Sequence, residues 1–175
     1  MIRDDLSEES KLRTAQLIPP LTLHLPDGRT VRAWDFKQKK NLVIAFLDTE
    51  CKSCETYLHR LIEAAPAFRE RETVVLIAYL EPPPLLQSPL SPPEIIEGAD
   101  VSGQAVRLYL GKEALSSKGL ESRGVFLTDR YGALFQEWRS PGHVFPSPDE
   151  LLAGLDQVLI TCDGCGTPEW TLDEF

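Results

Sequence analysis

The chain has 175 residues, of which 42% are hydrophobic, and a formal net charge of −9 at pH 7. This length suits one domain with a sizeable core. The excess of Asp and Glu argues against a nucleic-acid-binding surface. No segment reaches membrane-spanning length and the N-terminus has no apolar signal core, so we expect a cytoplasmic protein that binds neither membrane nor nucleic acid.

The first part of the chain changes from a charged segment to an alternating one. Residues 1–17 are charged with a weak helical pattern, and we interpret them as a partly ordered lead-in segment. From residue 21 apolar and polar positions alternate around a Pro-Asp-Gly turn that ends at Gly28. This pattern predicts a β-hairpin that continues to Trp34, with Trp34 and Phe36 packed beside the next strand.

Residues 42–54 contain the two most informative features of the sequence. The apolar run 42–47 predicts a buried central strand, and a short polar loop then leads to Cys51 and Cys54. The following apolar positions have helical spacing, so the first sulfur is expected at a helix N-terminus. Free backbone N–H groups and the helix dipole favour an anion there. A thiol in this position becomes a nucleophile or a metal ligand more readily.

After this helix, which Pro66 either kinks or restarts, residues 73–80 form a second apolar run. Two buried strands joined by a helix predict a right-handed βαβ unit with parallel strands. Residues 81–93 hold six of the fourteen prolines, so we expect them to run extended over the surface and outside the sheet.

The remaining pattern predicts a short helix near residues 103–110 and then a second hairpin formed by 124–128 and 133–138. The element order is therefore hairpin, strand, helix, strand, extended segment, short helix, hairpin and helix. It predicts an α/β fold with a mixed central sheet and helices in layers against it.

The last helix has a clear start signal. Ser147 is placed as an N-cap, Pro148 follows at the first helical position, and Glu150 completes a capping box. We expect this helix to close a domain that spans residues 18–161. Residues 162–175 then form a separate tail.

The tail begins with a second Cys-x-x-Cys, formed by Cys162 and Cys165. The glycines at 164 and 166 permit a tight turn that aims both sulfurs at one point, as in a zinc knuckle. Zinc normally takes four ligands, so a full site needs the first cysteine pair or a second subunit. The alternatives are a dithiol relay that passes electrons to the first pair, and exposed turn cysteines without a function.

The region around Cys51 resembles the thioredoxin-like superfamily, because Phe46 lies five residues before it and the Cys-x-x-Cys opens a helix. Residues 122–132, Ser-Arg-Gly-Val-Phe-Leu-Thr-Asp-Arg-Tyr-Gly, are similar to the AhpC/TSA redoxin branch, which includes the peroxiredoxins. Thioredoxins carry a cis-proline just before this strand, whereas peroxiredoxins carry an arginine, as Arg123 is here. The resemblance covers roughly residues 18–160 and implies a thioredoxin-like fold.

The resemblance also implies a thiol-dependent oxidoreductase without a cofactor. Cys51 attacks a peroxide or a disulfide, and Cys54 resolves the intermediate as a Cys51–Cys54 disulfide. Arg123, with Thr49, stabilises the thiolate or binds the substrate. An external thiol such as thioredoxin restores the dithiol.

The chain departs from both family patterns. In the peroxiredoxin loop Pro-x-x-x-Thr-x-x-Cys, the threonine position before Cys51 holds Asp48, and Thr49 is one residue out of register. Carboxylates so close to a thiol disfavour the thiolate. Arg123 favours peroxide reduction, whereas the intact Cys-x-x-Cys and the displaced threonine favour disulfide exchange. The rival hypothesis is a metal-binding or interaction protein on a redoxin scaffold, with zinc at the tail cysteines.

Overall fold

The computed structural model describes residues 12, 14–82, 91–140 and 145–162. Its strands are β1 Thr22–His24, β2 Thr30–Arg32, β3 Asn41–Phe46, β4 Thr73–Tyr79, β5 Ile95–Ala99, β6 Leu115–Ser116, β7 Gly119–Leu120, β8 Arg123–Thr128 and β9 Leu134–Ser140. Its α-helices are α1 Lys52–Glu63, α2 Ala65–Glu70, α3 Gln104–Leu110 and α4 Pro148–Cys162, with short 3-10 helices at Ala33–Phe36 and Lys112–Ala114. In the described part of the chain, no helix is long and apolar enough to cross a bilayer.

Seven strands form one mixed sheet in the order β2-β1-β5-β4-β3-β8-β9. Strands β3, β4 and β5 are parallel to one another, while β8 and β9 pair antiparallel beside β3. All six residues of β3 are buried. The α/β fold with a mixed central sheet is thus confirmed, and β3 lies inside it with a neighbouring strand on each side.

Helices cover both faces of this sheet. Val43 and Ala45 belong to a core cluster that also contains the buried side chains of α1, α2 and α4. Ile44 and Phe46 point to the opposite face, where α3 and the N-terminal hairpin supply the covering side chains. An apolar run without alternation is what a strand buried on both faces requires.

The N-terminal hairpin forms as predicted, with β1 and β2 antiparallel and Gly28 at φ +88° in the turn. The prediction that its second strand continues to Trp34 is wrong, because the chain enters a 3-10 helix directly after Arg32. Asp35 accepts the Arg32 backbone N–H at 2.9 Å and fixes this change of direction. Trp34 is therefore 44% exposed, with the Lys37 ammonium 4.3 Å from its ring, and only Phe36 packs against the core.

Strand β5 is absent from the sequence-based prediction, which left the residues after the proline segment outside the sheet. It pairs parallel to β4, from Val75 opposite Ile95 to Tyr79 opposite Ala99. Gly98 lets β1 approach, because a Cβ there would lie 2.7 Å from the Leu23 Cβ. Most of the proline segment itself, residues 83–90, lies outside the described residues.

The helix that follows the first cysteine pair divides into α1 and α2 at Ala64. Pro66 lies in the first turn of α2, where a proline removes no intrahelical hydrogen bond. Of the two predicted outcomes for Pro66, the second is confirmed: it restarts the helix.

Both ends of the predicted domain can be followed only in part. Residues 14–17, the end of the predicted lead-in, are ordered against β9, with the Ala15 N–H donating to the Leu134 carbonyl at 2.7 Å. At the other end α4 continues to Cys162. The tail beyond that residue lies outside the described part of the chain, so the proposed boundary stays a prediction.

Helix α4 begins with the predicted capping box. The Glu150 N–H donates to the Ser147 Oγ at 3.2 Å, and the Ser147 N–H donates to the Glu150 carboxylate at 3.0 Å. Buried Leu151, Leu155 and Val158 then hold the helix against the sheet. The two bonds satisfy N–H groups that a helix start otherwise leaves without a partner.

Replacing Ser147 by alanine should lower the free energy of unfolding by about 1 kcal/mol, because the Glu150 N–H loses its acceptor. Urea unfolding followed by circular dichroism measures the change. Ser117→Ala is the matched control, since Ser117 is exposed in the turn between β6 and β7 and should shift the midpoint little. Equal midpoints for Ser147→Ala and the wild type would contradict the role of the cap.

Candidate active site at the start of helix α1

The structure places Cys51 as the N-cap of α1. Its backbone is extended, with φ −101° and ψ 111°, and its Sγ accepts the Cys54 N–H at 3.2 Å. The sulfur thus occupies the position that a serine or aspartate oxygen takes in an ordinary N-cap. Because the first-turn N–H groups and the helix dipole point at it, a negative charge on this sulfur is stabilised.

Cys51 and Cys54 are joined by a disulfide, and their Cα atoms are 5.1 Å apart. Cys51 is half-buried, whereas Cys54 is 1% exposed and belongs to the core cluster under α1. The Ser53 hydroxyl lies 3.2 Å from the Cys51 Sγ, a contact that the sequence-based prediction did not include. An outer and an inner sulfur at bonding distance fit the roles of attacking and resolving thiol.

The register of the sheet brings Arg123 to the loop that carries Cys51. Phe46 pairs with Gly124, so Arg123 lies beside the residues that follow β3. Arg123 is only 8% exposed. Its Nη2 donates to the Asp48 carboxylate at 3.2 Å, and its Nη1 donates to the Leu120 carbonyl. Its Nε is buried and has no hydrogen-bond partner among the described residues.

Asp48 was predicted only to disfavour a thiolate, and its contact with Arg123, 75 residues away in sequence, is new. Its second carboxylate oxygen accepts the Glu50 N–H at 3.1 Å. Thr49 and Glu50 form the turn between Asp48 and Cys51, and such a turn brings its ends to within roughly 7 Å. The ion pair is therefore anchored at the start of the turn that leads to Cys51.

Thr49 itself is half-buried in this turn. Its hydroxyl has no hydrogen bond to any of the described residues, so nothing in the structure directs it at the Cys51 sulfur. The residue that does contact Arg123 is its neighbour Asp48. One signal for the contact between Asp48 and Arg123 was present in the sequence. Asp48 follows β3 and Arg123 begins β8, and antiparallel pairing of these strands brings the two positions to the same end of the sheet.

Tyr57 lies in the core cluster that also contains Cys54. It is 3% exposed, one helical turn beyond Cys54, and its ring stacks on Phe145 with centroids 4.5 Å apart and planes 12° apart. Burial raises the pKa of the Tyr57 hydroxyl, so this group stays protonated at neutral pH. Tyr57 and Cys54 belong to the same buried core cluster, so the inner sulfur is the less accessible of the two.

Helix α4 ends at Cys162, toward the end of the sheet opposite the Cys51 site. The Tyr57–Phe145 stack holds the start of α4 beside α1, whereas Asp156 pairs with Arg71 at 2.7 Å, just before β4. Helix α4 thus runs away from the Cys51 site, and its 15 residues span roughly 22 Å before Cys162. Cys165 lies outside the described residues. Within those residues no three Cys, His, Asp or Glu side chains converge on a possible metal position, so nothing described supports the zinc alternative.

Comparison with known proteins gives a result at the level of structure. No protein-family model and no curated protein sequence matches the chain. A yeast mitochondrial 1-Cys peroxiredoxin matches with TM-score 0.72 and 16% identity, over 86% of this chain and 78% of the other. Reduced 2-Cys peroxiredoxin of Plasmodium vivax matches with TM-score 0.68 and 18% identity, over 85% and 82%. Mycobacterium tuberculosis AhpC matches with TM-score 0.67 and 16% identity, over 92% and 99%.

The chain has a thioredoxin-like fold that is similar to the fold of these solved peroxiredoxins. This confirms the predicted thioredoxin-like architecture, including the antiparallel β8–β9 pair beside the central strand. A fold does not specify a reaction by itself, because the chemistry lies in the side chains of the site.

Because α4 carries Cys162 away from Cys51, the tail should take no part in forming the Cys51–Cys54 disulfide. Replacing both Cys162 and Cys165 by serine should leave the single-turnover rate of that disulfide's formation unchanged. Stopped-flow mixing of the reduced protein with one equivalent of peroxide, followed by acid quench and mass spectrometry, measures this rate. A severalfold slower rate in the double variant would show that the tail reaches the site.

Proposed function

We propose that this protein is a thiol-dependent oxidoreductase, with Cys51 as the attacking thiolate and Cys54 as the resolving thiol. The observation that carries the proposal is the disulfide between a half-buried N-cap sulfur and a buried partner one helical turn away. The similarity of the fold to solved peroxiredoxins supports the same chemistry. No cofactor is needed, because both electrons come from the thiols.

A hydroperoxide is the first candidate substrate, since the proteins of similar structure are peroxiredoxins. The Cys51 thiolate attacks one peroxide oxygen, the O–O bond breaks, and the leaving oxygen takes a proton to become water or an alcohol. Cys51 is then a sulfenic acid, oxidised by two electrons. The Cys54 thiol attacks this sulfur, a water molecule leaves, and the Cys51–Cys54 disulfide forms.

A disulfide is the second candidate substrate, and the Asp48–Arg123 ion pair favours it because it occupies the arginine. The reduced Cys51 then displaces a thiolate from the substrate, and Cys54 releases the second one. In either case an external dithiol, such as thioredoxin, reduces the Cys51–Cys54 disulfide by two successive exchanges. Such a cycle suits the thiol-reducing cytoplasm, which we propose as the location.

The proposal is tested by counting free thiols after the reduced protein meets hydrogen peroxide or a neutral model disulfide. The wild type should lose two thiols per oxidant consumed. Cys51→Ser should consume neither oxidant at a comparable rate, because the attacking sulfur is gone. Cys54→Ser should lose one thiol to peroxide and accumulate a sulfenic acid that dimedone traps.

Cys162→Ser is the matched control for the loss of one cysteine, and it should behave like the wild type in the first turnover. If neither oxidant consumes thiols in the wild type, the enzymatic proposal is wrong. If consumption continues in Cys51→Ser, the reactive thiol lies elsewhere in the chain.

A further inference from the structure

We infer that Asp48 is the specificity-determining residue of the site, because its carboxylate engages Arg123 and so slows peroxide reduction relative to disulfide exchange. The inference rests on the proposed function of Cys51 and Cys54. It concerns a contact of this chain that neither the position of Arg123 nor the Cys-x-x-Cys motif implies.

The guanidinium of Arg123 is held on two sides. One terminal nitrogen donates to Asp48 and the other to the carbonyl of Leu120. The Arg123 side chain is 10% exposed and that of Asp48 is 32% exposed, so this charge pair is largely shielded from water. A buried guanidinium needs such a counter-charge, and removal of the carboxylate leaves it with an unbalanced charge.

The two candidate reactions make different demands on this cation. When the O–O bond of a peroxide breaks, negative charge develops on an oxygen whose conjugate acid is very weak, so a positively charged hydrogen-bond donor lowers the barrier strongly. When a disulfide bond breaks, the charge develops on a sulfur whose thiol has a pKa near 8.5, and less stabilisation is required. An arginine already neutralised by a carboxylate therefore penalises peroxide reduction more.

Asp48 also carries a negative charge on the loop that leads to Cys51. It lies three residues before Cys51, with the Thr49-Glu50 turn between them. Its bond to the Glu50 N–H fixes the carboxylate in that place. The Asp48 charge repels the developing oxygen anion, and the carboxylate also occupies Arg123, the donor that would stabilise this anion.

The experiment compares second-order rate constants for Cys51 oxidation by hydrogen peroxide and by 2-hydroxyethyl disulfide, which is uncharged. The variants are Asp48→Asn, which keeps an acceptor for Arg123 without the charge, and Asp48→Ala, which removes both. The readout is the ratio of the two rate constants for each variant. The ratio cancels errors in the protein concentration. Circular dichroism at the assay temperature checks that each variant is folded, because exposed cysteines of an unfolded fraction also react with both oxidants.

Asp48→Ala should raise the peroxide-to-disulfide ratio about tenfold, and Asp48→Asn should raise it by a smaller factor, since Arg123 becomes available to the leaving oxygen. Adding Arg123→Lys to Asp48→Ala should remove most of the gain, because lysine lacks the forked donors. Glu50→Gln is the matched control. It removes the same charge next to Cys51 without touching the ion pair, and should change the ratio by less than about twofold.

The negative outcomes separate a failure of the inference from a failure of the proposed function. If the wild type consumes thiols through Cys51 but both Asp48 variants keep its ratio, the inference is wrong and the proposed function stands. The inference is also overturned if Glu50→Gln shifts the ratio as much as Asp48→Asn, since local charge alone would then explain the effect. If the wild type reacts with neither oxidant through Cys51, the proposed function fails and the inference fails with it.

Discussion

The site depends on the way the central strand ends. Strand β3 is buried on both faces and hydrogen bonded on both sides. The chain can therefore leave the sheet only at the end of this strand, where the loop carries Asp48 and Cys51. The return helix α1 has to cover one face of the same sheet, which places its first turn directly over the strand end. The hydrogen bond from the Cys54 N–H to the Cys51 sulfur joins the loop after the strand to the first turn of the helix.

The same constraint explains the different exposure of the two sulfurs. A residue at the N-cap lies outside the helix and keeps part of its surface in water, whereas the residue three positions later faces the core. Cys54 is 1% exposed in the core cluster against which Tyr57 and Phe145 also pack, so solvent reaches Cys51 more readily. Arg123 adds a charge at this junction, and Asp48 balances it. This neutralisation of Arg123 by Asp48, more than the Cys-x-x-Cys motif, is the distinctive chemical feature of the site.

Features governed by neighbours in sequence could be predicted. The apolar runs of β3 and β4, the turn at Gly28 and the capping box of α4 all rest on interactions within a few residues, and the structure confirms each of them. The position of Cys51 at a helix start followed from the same local pattern.

The missed features depend on contacts between distant segments. Strand β5 contains Glu97 and Gly98, which break an apolar pattern. They fit the sheet because the Tyr79 hydroxyl donates to Glu97 and because β1 approaches Gly98. The pairing of Asp48 with Arg123 likewise depends on the β3–β8 register, which the residues around each partner do not encode. Trp34 shows the opposite error, since an aromatic residue in an alternating pattern was expected in the core and lies exposed beside Lys37.

The most direct test of the redox pair is the location of the bond formed by one equivalent of hydrogen peroxide. Trypsin cleaves after Lys40, Lys52 and Arg60, so Cys51 and Cys54 fall on the separate peptides 41–52 and 53–60. Mass spectrometry of the unreduced digest should find these two peptides joined by a disulfide after oxidation and separate before it. If they remain separate after the peroxide has been consumed, or if either is joined to the tail peptide instead, Cys51 and Cys54 are not the redox pair.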